Sequence, residues 1–175
     1  MMTFDLGGVT QCLDALQKQE ESSMYKNIMV AVDHSPQSPQ VLDEAIKLAK
    51  MSGARLHLVT IANLYEFAFD EAGRHDEGRL QVQAESKARQ VLEPHLIRAE
   101  QEGVNVSAHP VVSWGAGEEI AKALINEAQD SDAEVLVMGT HGRTGLAHLF
   151  LGSVAEAVIR SAPMPVLILR SPDRH

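Results

Sequence analysis

Glycines, a serine and an arginine are concentrated between residues 139 and 153. Two glycines, Gly139 and Gly142, are separated by two residues, and nine more residues lead to Gly152 and Ser153, with Arg143 in between. Glycines let backbone amides approach a ligand closely, and a serine at a helix start adds a hydroxyl to unpaired amides that attract phosphate oxygens. Arg143 adds a positive charge. One glycine would indicate only a turn, whereas this spacing predicts a phosphate site.

Asp33 is a second candidate ligand residue, because it directly follows the apolar run Asn27–Val32. Its carboxylate would be placed to bind a ribose hydroxyl or, through a metal ion, a phosphate. The alternative is that Asp33 only caps the turn formed by residues 34–36. Its expected position beside the glycine-rich segment favours the ligand role.

Short apolar runs alternate with segments whose apolar residues recur three and four positions apart, which is typical of buried strands and amphipathic helices. This alternation predicts an α/β fold with a doubly wound, parallel sheet and helices on both faces. Ligands bind such sheets at the carboxyl ends of the strands, where the strand order reverses. Pro94 is expected to kink or break the second helix. The predicted strands are Asn27–Val32, Arg55–Ile61, Asn105–Val112, Glu134–Met138 and Val166–Leu169.

Length and composition indicate one domain and exclude several functions. A chain of 175 residues suits a single core, and its net charge of −9 argues against nucleic acid as the main partner. A single cysteine allows no disulfide framework and no thiolate zinc site. No apolar run approaches the roughly 20 residues of a membrane helix. We therefore expect a cytoplasmic protein without membrane insertion.

The domain boundaries follow from the same patterns. Residues 1–24 are an N-terminal appendage, expected to be flexible because its helical spacing is too short to persist alone. Residues 25–171 form the nucleotide-binding domain, and residues 172–175 are a tail.

Two segments resemble the universal stress protein family. The sequence VAVDHS occupies residues 30–35, and GTHGRTGLAHLFLGSVAEAVIRSAPMPVLIL occupies residues 139–169. The resemblance extends from Met24 to Arg170, and its glycine and serine spacing is that of the ATP-binding branch. It implies five parallel strands in the order 3-2-1-4-5, a homodimer, and a nucleotide-dependent regulatory or stress-response function with a regulatory protein partner that the sequence does not identify.

The resemblance also implies a role for individual residues, with ATP or AMP as the ligand and Mg²⁺ bound through the phosphates. Asp33 is a further candidate ligand of that ion, and no residue is assigned a catalytic role. In this interpretation Asp33 holds the ribose, the backbone beside Ala31 and Thr60 faces the adenine, Met138 and Gly139 flank the nucleoside, and Gly142, Gly152, Ser153 and Val154 bind the phosphates.

Two alternatives belong to other functional classes. A slow ATPase or an adenylate-transferring enzyme would use the same pocket, but residues 34–40 (HSPQSPQ) contain no glycine to cradle pyrophosphate, and no lysine lies between Met138 and Val154. A phospho-acceptor receiver domain would need an aspartate after the third strand, where Val111, Val112 and Ser113 stand. Binding is therefore favoured over turnover.

The last strand predicts the mode of dimerisation. In the order 3-2-1-4-5 the run Val166, Leu167, Ile168 and Leu169 forms a bare, apolar sheet edge, which invites aggregation unless it is covered or paired. Pairing with a second copy about a twofold axis would satisfy its backbone groups. We therefore expect the dimer interface at these four residues.

Overall fold

A five-stranded sheet organises the computed structural model, which describes residues 24–65, 77–140 and 151–170. The appendage up to residue 23 and the tail lie outside the described residues. None of the helices in the described ranges is long and apolar enough to cross a membrane. In chain order the elements are β1 (Asn27–Ala31), α1 (Ser38–Ser52), β2 (Arg55–Asn63), α2 (Glu77–Gln101), β3 (Val106–Ser113), α3 (Glu118–Asp130), β4 (Val135–Gly139), α4 (Ser153–Ser161) and β5 (Val166–Leu169).

The strand order is β3-β2-β1-β4-β5, and every neighbouring pair is parallel. Both the architecture and the order predicted above are confirmed. The order reverses between β1 and β4, because β2 follows β1 on one side while the chain returns to β4 on the other. This switch point opens at the carboxyl ends of β1 and β4.

Alternating side chains of the strands build the two largest hydrophobic cores of the described residues, one on each face of the sheet. Ile28, Val30 and Leu56 pack against α1 and α2, and they are completely buried. Met29 and Leu136 point to the other face, where they pack against α3 and α4. Burial on both faces of β1 and β4 explains why these two strands appear in the sequence as nearly continuous apolar runs.

Helix α2 continues through Pro94 for 25 residues and is not broken there. Proline removes the amide that would bond to the carbonyl of Gln90. Both residues lie on the exposed side of the helix, so water can satisfy that carbonyl, while Leu92 and Ala99 hold the helix to the sheet on either side of the proline. Packing therefore overrides the local preference.

Candidate functional site

A cavity of about 420 Å³ opens at the switch point, between the carboxyl ends of β1, β2 and β4 and the starts of α1, α3 and α4. Its volume lies within the range of small-molecule sites. Gly142 and Arg143 lie outside the described residues. The other ligand residues expected from the sequence all line this cavity: Ala31, Asp33, Thr60, Met138, Gly139, Gly152, Ser153 and Val154.

The start of α4 presents backbone amides to the cavity. Gly152 is its N-cap, with an extended backbone (φ −74°, ψ 155°), and its carbonyl accepts the first helical bond from Glu156 at 2.9 Å. Within the described parts of the chain, no acceptor meets the amides of Ser153, Val154 or Ala155. These three residues line the cavity. An unpaired, positively polarised helix start favours an anion.

The amide of Gly152 is already used within the chain. It donates to the carbonyl of Thr140 at 2.8 Å, which joins the end of β4 to the start of α4. Gly152 is predicted above to bind phosphates, and this bond means that its amide is not available for that contact. At the start of α4, the donors that remain for a ligand are the amides of Ser153, Val154 and Ala155 and the hydroxyl of Ser153.

Asp33 holds the turn before α1 and also lines the cavity. Its Oδ1 accepts from the amide of Ser35 at 2.9 Å and from the hydroxyl of Ser38 at 2.6 Å. The amide of Asp33 donates to the Ser38 hydroxyl oxygen at 2.8 Å. No described residue bonds to the other carboxylate oxygen, Oδ2. The capping role considered from the sequence is therefore present, and it leaves one oxygen for a ligand.

Gln37 is a cavity residue that sequence reasoning missed. Its side chain is only 7% exposed, and Nε2 donates to the carbonyl of Leu169 at 2.8 Å. The same carbonyl accepts from the amide of Thr140 at 3.0 Å. A Cβ at Gly139 would lie 2.8 Å from Oε1 of Gln37, so Gly139 is required for the approach of Gln37 whether or not a ligand is present.

Helix α3 supplies a second wall that the sequence did not reveal. Gly117, Ile120 and Leu124 line the cavity and follow the three- and four-residue spacing of one helix face. Gly117 is the N-cap with φ 52°, and a Cβ there would lie 3.7 Å from the Ser153 hydroxyl. The starts of α3 and α4 therefore meet at the cavity. The helical spacing of these three residues was the signal in the sequence from which this wall could have been predicted.

The cavity has an apolar part and very little charge. Asp33 is the one charged side chain among the described residues that line it. Across the described ranges no three His, Cys, Asp or Glu side chains are arranged to hold a metal ion. The larger side chains of the apolar lining include Val41, Val59, Ile61, Ile120, Leu124 and Met138.

Fold and site together define a doubly wound α/β protein with a ligand cavity at its switch point. The model of the universal stress protein family matches residues 24–170. The chain therefore belongs to that family. It is 30% identical over 156 residues to Universal stress protein MJ0531 of Methanocaldococcus jannaschii, which covers 87% of this chain and 86% of that protein.

Solved structures share the fold. The hypothetical protein MJ0577 matches with a TM-score of 0.71 at 25% identity, over 86% of this chain and 99% of that one. A universal stress protein family member from Burkholderia pseudomallei matches with a TM-score of 0.65 at 32% identity, over 85% and 98%. At 24% identity, where likeness shows the fold alone, a universal stress protein in complex with cAMP has a TM-score of 0.61 and one from Archaeoglobus fulgidus in complex with dAMP has 0.55.

Proposed function

We propose that the cavity binds an adenine nucleotide, ATP or AMP, and that the protein is a nucleotide-dependent regulatory or stress-response protein. The observation that carries this proposal is the convergence of three unpaired α4 amides, the Asp33 carboxylate and an apolar wall on one cavity. A nucleotide contains three matching parts, which are an anion, a hydroxyl-bearing sugar and a flat base whose faces are apolar. Two proteins of the same fold bind cAMP and dAMP, which is consistent with this ligand class.

The position of each part follows from the chemistry of the lining. Phosphates belong at the start of α4, because unpaired amides and the helix dipole stabilise negative charge there. The ribose belongs at Asp33, whose free oxygen accepts hydroxyl hydrogens. The base belongs between the backbone beside Ala31 and Thr60 and the side chain of Met138, where its faces meet apolar groups.

Mg²⁺ is proposed to accompany ATP. The described lining has no lysine or arginine to balance a triphosphate, which leaves neutral amides and Arg143 for that task. Magnesium is commonly held by substrate phosphates, water and one or two protein ligands. Asp33 fits as such a ligand, because its Oδ2 has no partner among the described residues.

Two substitutions at one residue test the phosphate assignment. Ser153 is the first helical residue, where proline is favoured, and the extended backbone of Gly152 before it is one that proline accepts. Ser153→Pro therefore deletes one amide donor and the hydroxyl while keeping the helix, and Ser153→Ala deletes the hydroxyl alone. A hydrogen bond to a charged group contributes about 1.5–3 kcal/mol. We expect calorimetry to show that Ser153→Pro binds ATP at least about tenfold more weakly than Ser153→Ala does.

Circular dichroism and urea unfolding provide the control that both variants are folded. If folded Ser153→Pro binds ATP as tightly as the unsubstituted protein, the phosphates do not lie at the start of α4. Release of ADP or AMP during the same incubations would instead favour the enzymatic alternative. A nucleotide that merely binds is recovered unchanged.

A homodimer through β5 is the proposed assembly. β5 is an edge strand of the described sheet, and Leu167 is 39% exposed. The carbonyls of Pro165 and Leu169 accept bonds from β4, so the intervening backbone groups of Val166 and Ile168 face the open edge. A second copy of β5 would pair with them. Location in the cytoplasm stays a prediction from composition.

A further inference from the structure

A polar cluster lies on the α3 side of the sheet, toward the amino ends of the strands and therefore away from the cavity. His57 of β2 is opposite Met29 of β1 and Ser107 of β3 in the strand register, and it is only 7% exposed. His109 of β3 lies beside it, with ring centroids 5.2 Å apart. Ionisable side chains so close together in a mostly apolar layer need a specific arrangement of protons.

The two imidazoles form the middle of a hydrogen-bonded chain. Nε2 of His57 lies 3.1 Å from Oδ1 of Asn27 at the start of β1. Nδ1 of His57 lies 3.2 Å from Nε2 of His109, and Nδ1 of His109 lies 2.6 Å from Oε1 of Glu127 on α3. The hydroxyl of Ser107 is 3.0 Å and 2.9 Å from the two inner nitrogens.

Counting hydrogens along this chain gives a charge. Both outer partners, the Asn27 carbonyl oxygen and the Glu127 carboxylate, only accept, so each outer ring nitrogen must carry a hydrogen. A bond between the inner nitrogens needs a third hydrogen. Two neutral imidazoles carry only two, and the single Ser107 hydrogen can serve one inner nitrogen while the other is left facing a lone pair. The geometry is complete when the pair holds one additional proton.

We propose that His57 and His109 form a one-proton site, in which the two rings share a single positive charge opposite Glu127. This charge stabilises the packing of α3 against β2 and β3. A proton from solvent binds an inner nitrogen lone pair, no other bond is broken, and the Glu127 carboxylate is the counter-ion. The bond from His109 to Glu127 becomes an ion pair, which is stronger than a neutral hydrogen bond.

The surrounding charges limit the site to one proton. Burial, then His109 and Arg55, lower the pKa of His57, and only Glu127 opposes them. A second proton on His57 is therefore disfavoured, and the positive charge of the first proton opposes it further. Glu134 is at the same amino end of the sheet, but its carboxylate accepts from the backbone amides of Lys26 and Asn27.

A metal ion is a poorer occupant than a proton. Zinc sites use three or four His, Cys, Asp or Glu ligands, and the described residues contain no such group. Glu127 is also turned to the outer nitrogen of His109, away from the two nitrogens that would face a metal.

The site predicts a pH dependence with two limbs. In the unfolded chain each histidine titrates near pH 6.5, so together they bind two protons in acid and none in base. The folded pair holds one. Below pH 6.5 the unfolded state binds more protons than the folded state, so stability falls with falling pH. Above pH 6.5 the folded state binds more protons, so stability falls with rising pH until the pair releases its proton. In each limb the unfolding constant changes up to tenfold per pH unit.

Imidazole nitrogen NMR of the full chain at pH 7 measures the proton count directly. We expect hydrogens on Nε2 of His57 and Nδ1 of His109, plus one hydrogen shared between the inner nitrogens. Two neutral rings with one N–H each would overturn the proposal. If the His57 hydrogen in that result is on Nδ1, Nε2 accepts instead, and the Asn27 amide is reversed with its NH₂ group facing His57.

Variants keep the test independent of that signal. Glu127→Gln preserves an acceptor for His109 but removes the counter-charge, and in urea unfolding it should abolish the loss of stability with rising pH above pH 6.5. The matched control is Glu44→Gln, because the Glu44 carboxylate pairs with Lys47 on the surface of α1. An unchanged alkaline limb in Glu127→Gln, or stoichiometric Zn²⁺ binding lost in His57→Gln, would show that the pair is not a proton site.

Discussion

Replacing Gly139 with alanine tests whether Gln37 and Leu169 shape the cavity as described. The new Cβ would lie 2.8 Å from Oε1 and 3.1 Å from Cδ of Gln37, and at an ordinary 3.5 Å from Cγ2 of Val41. The backbone of Gly139 is not left-handed, so alanine introduces no strain of its own. The clash falls on the end of a flexible side chain. Gln37 is therefore expected to move and to release the Leu169 carbonyl.

The magnitude follows from the bond that is lost. A net hydrogen bond contributes about 0.5–1.5 kcal/mol to stability, so Gly139→Ala should lower the free energy of unfolding by about 1 kcal/mol. Gln37→Ala loses the same bond and should cost about the same. The double variant has no further bond to lose, so the two effects should overlap instead of adding, with a coupling energy of about 1 kcal/mol.

Urea unfolding of the four proteins in this cycle measures the coupling. Gly53→Ala is the matched control, because Gly53 has φ 67° and no atom lies within 4 Å of a Cβ there, so its cost is backbone strain alone. Its effect should add to that of Gln37→Ala. If Gly139→Ala and Gln37→Ala are also additive, the steric reasoning is wrong.

Three further expectations concern the ligand and the assembly. Asp33→Asn keeps an oxygen for Ser35 and Ser38 but loses the carboxylate. Calorimetry should show at least about tenfold weaker nucleotide binding, while the free energy of unfolding in urea changes by about 1 kcal/mol or less. Unchanged affinity would mean that Asp33 only stabilises the turn. Chelation by EDTA should weaken ATP binding far more than AMP binding, and equal effects on both nucleotides would remove Mg²⁺ from the proposal. Val166→Pro deletes an amide that faces the open edge of β5, so light scattering should report a monomer that still binds ATP; a dimer that survives it, or a monomeric unsubstituted protein, would contradict the β5 interface.

Most of the elements were predictable because they are encoded locally. The apolar run of β1 needs only its own residues, and Gly53 ends α1 with a left-handed conformation that few other residues adopt. β2 extends to Asn63, beyond the predicted end at Ile61. Asparagine normally indicates a turn. Here the side chain of Asn63 donates to the carbonyl of Gly115, and β2 continues beside β3 up to this residue.

The site was predictable only in part, because some of its contacts depend on distant residues. The composition around Gly152 indicates a helix start, but the direction of its amide depends on the carbonyl of Thr140. Gln37 resembles an ordinary turn residue until Leu169, 132 positions later, is placed beside it. Gly139 illustrates both cases: the sequence predicted a close approach there, and the structure identifies Gln37 as the group that approaches.

The shared carbonyl of Leu169 has a consequence for the order of folding events. It receives one hydrogen bond from the segment before α1 and one from the residue after β4. Closing a contact across 132 residues is entropically costly, so it is expected late on a folding pathway that begins with local pairings. The cavity therefore reaches its final shape only when β5 has docked. Ligand binding would then report completion of the whole sheet, because intermediates with four strands would lack the anchor for Gln37.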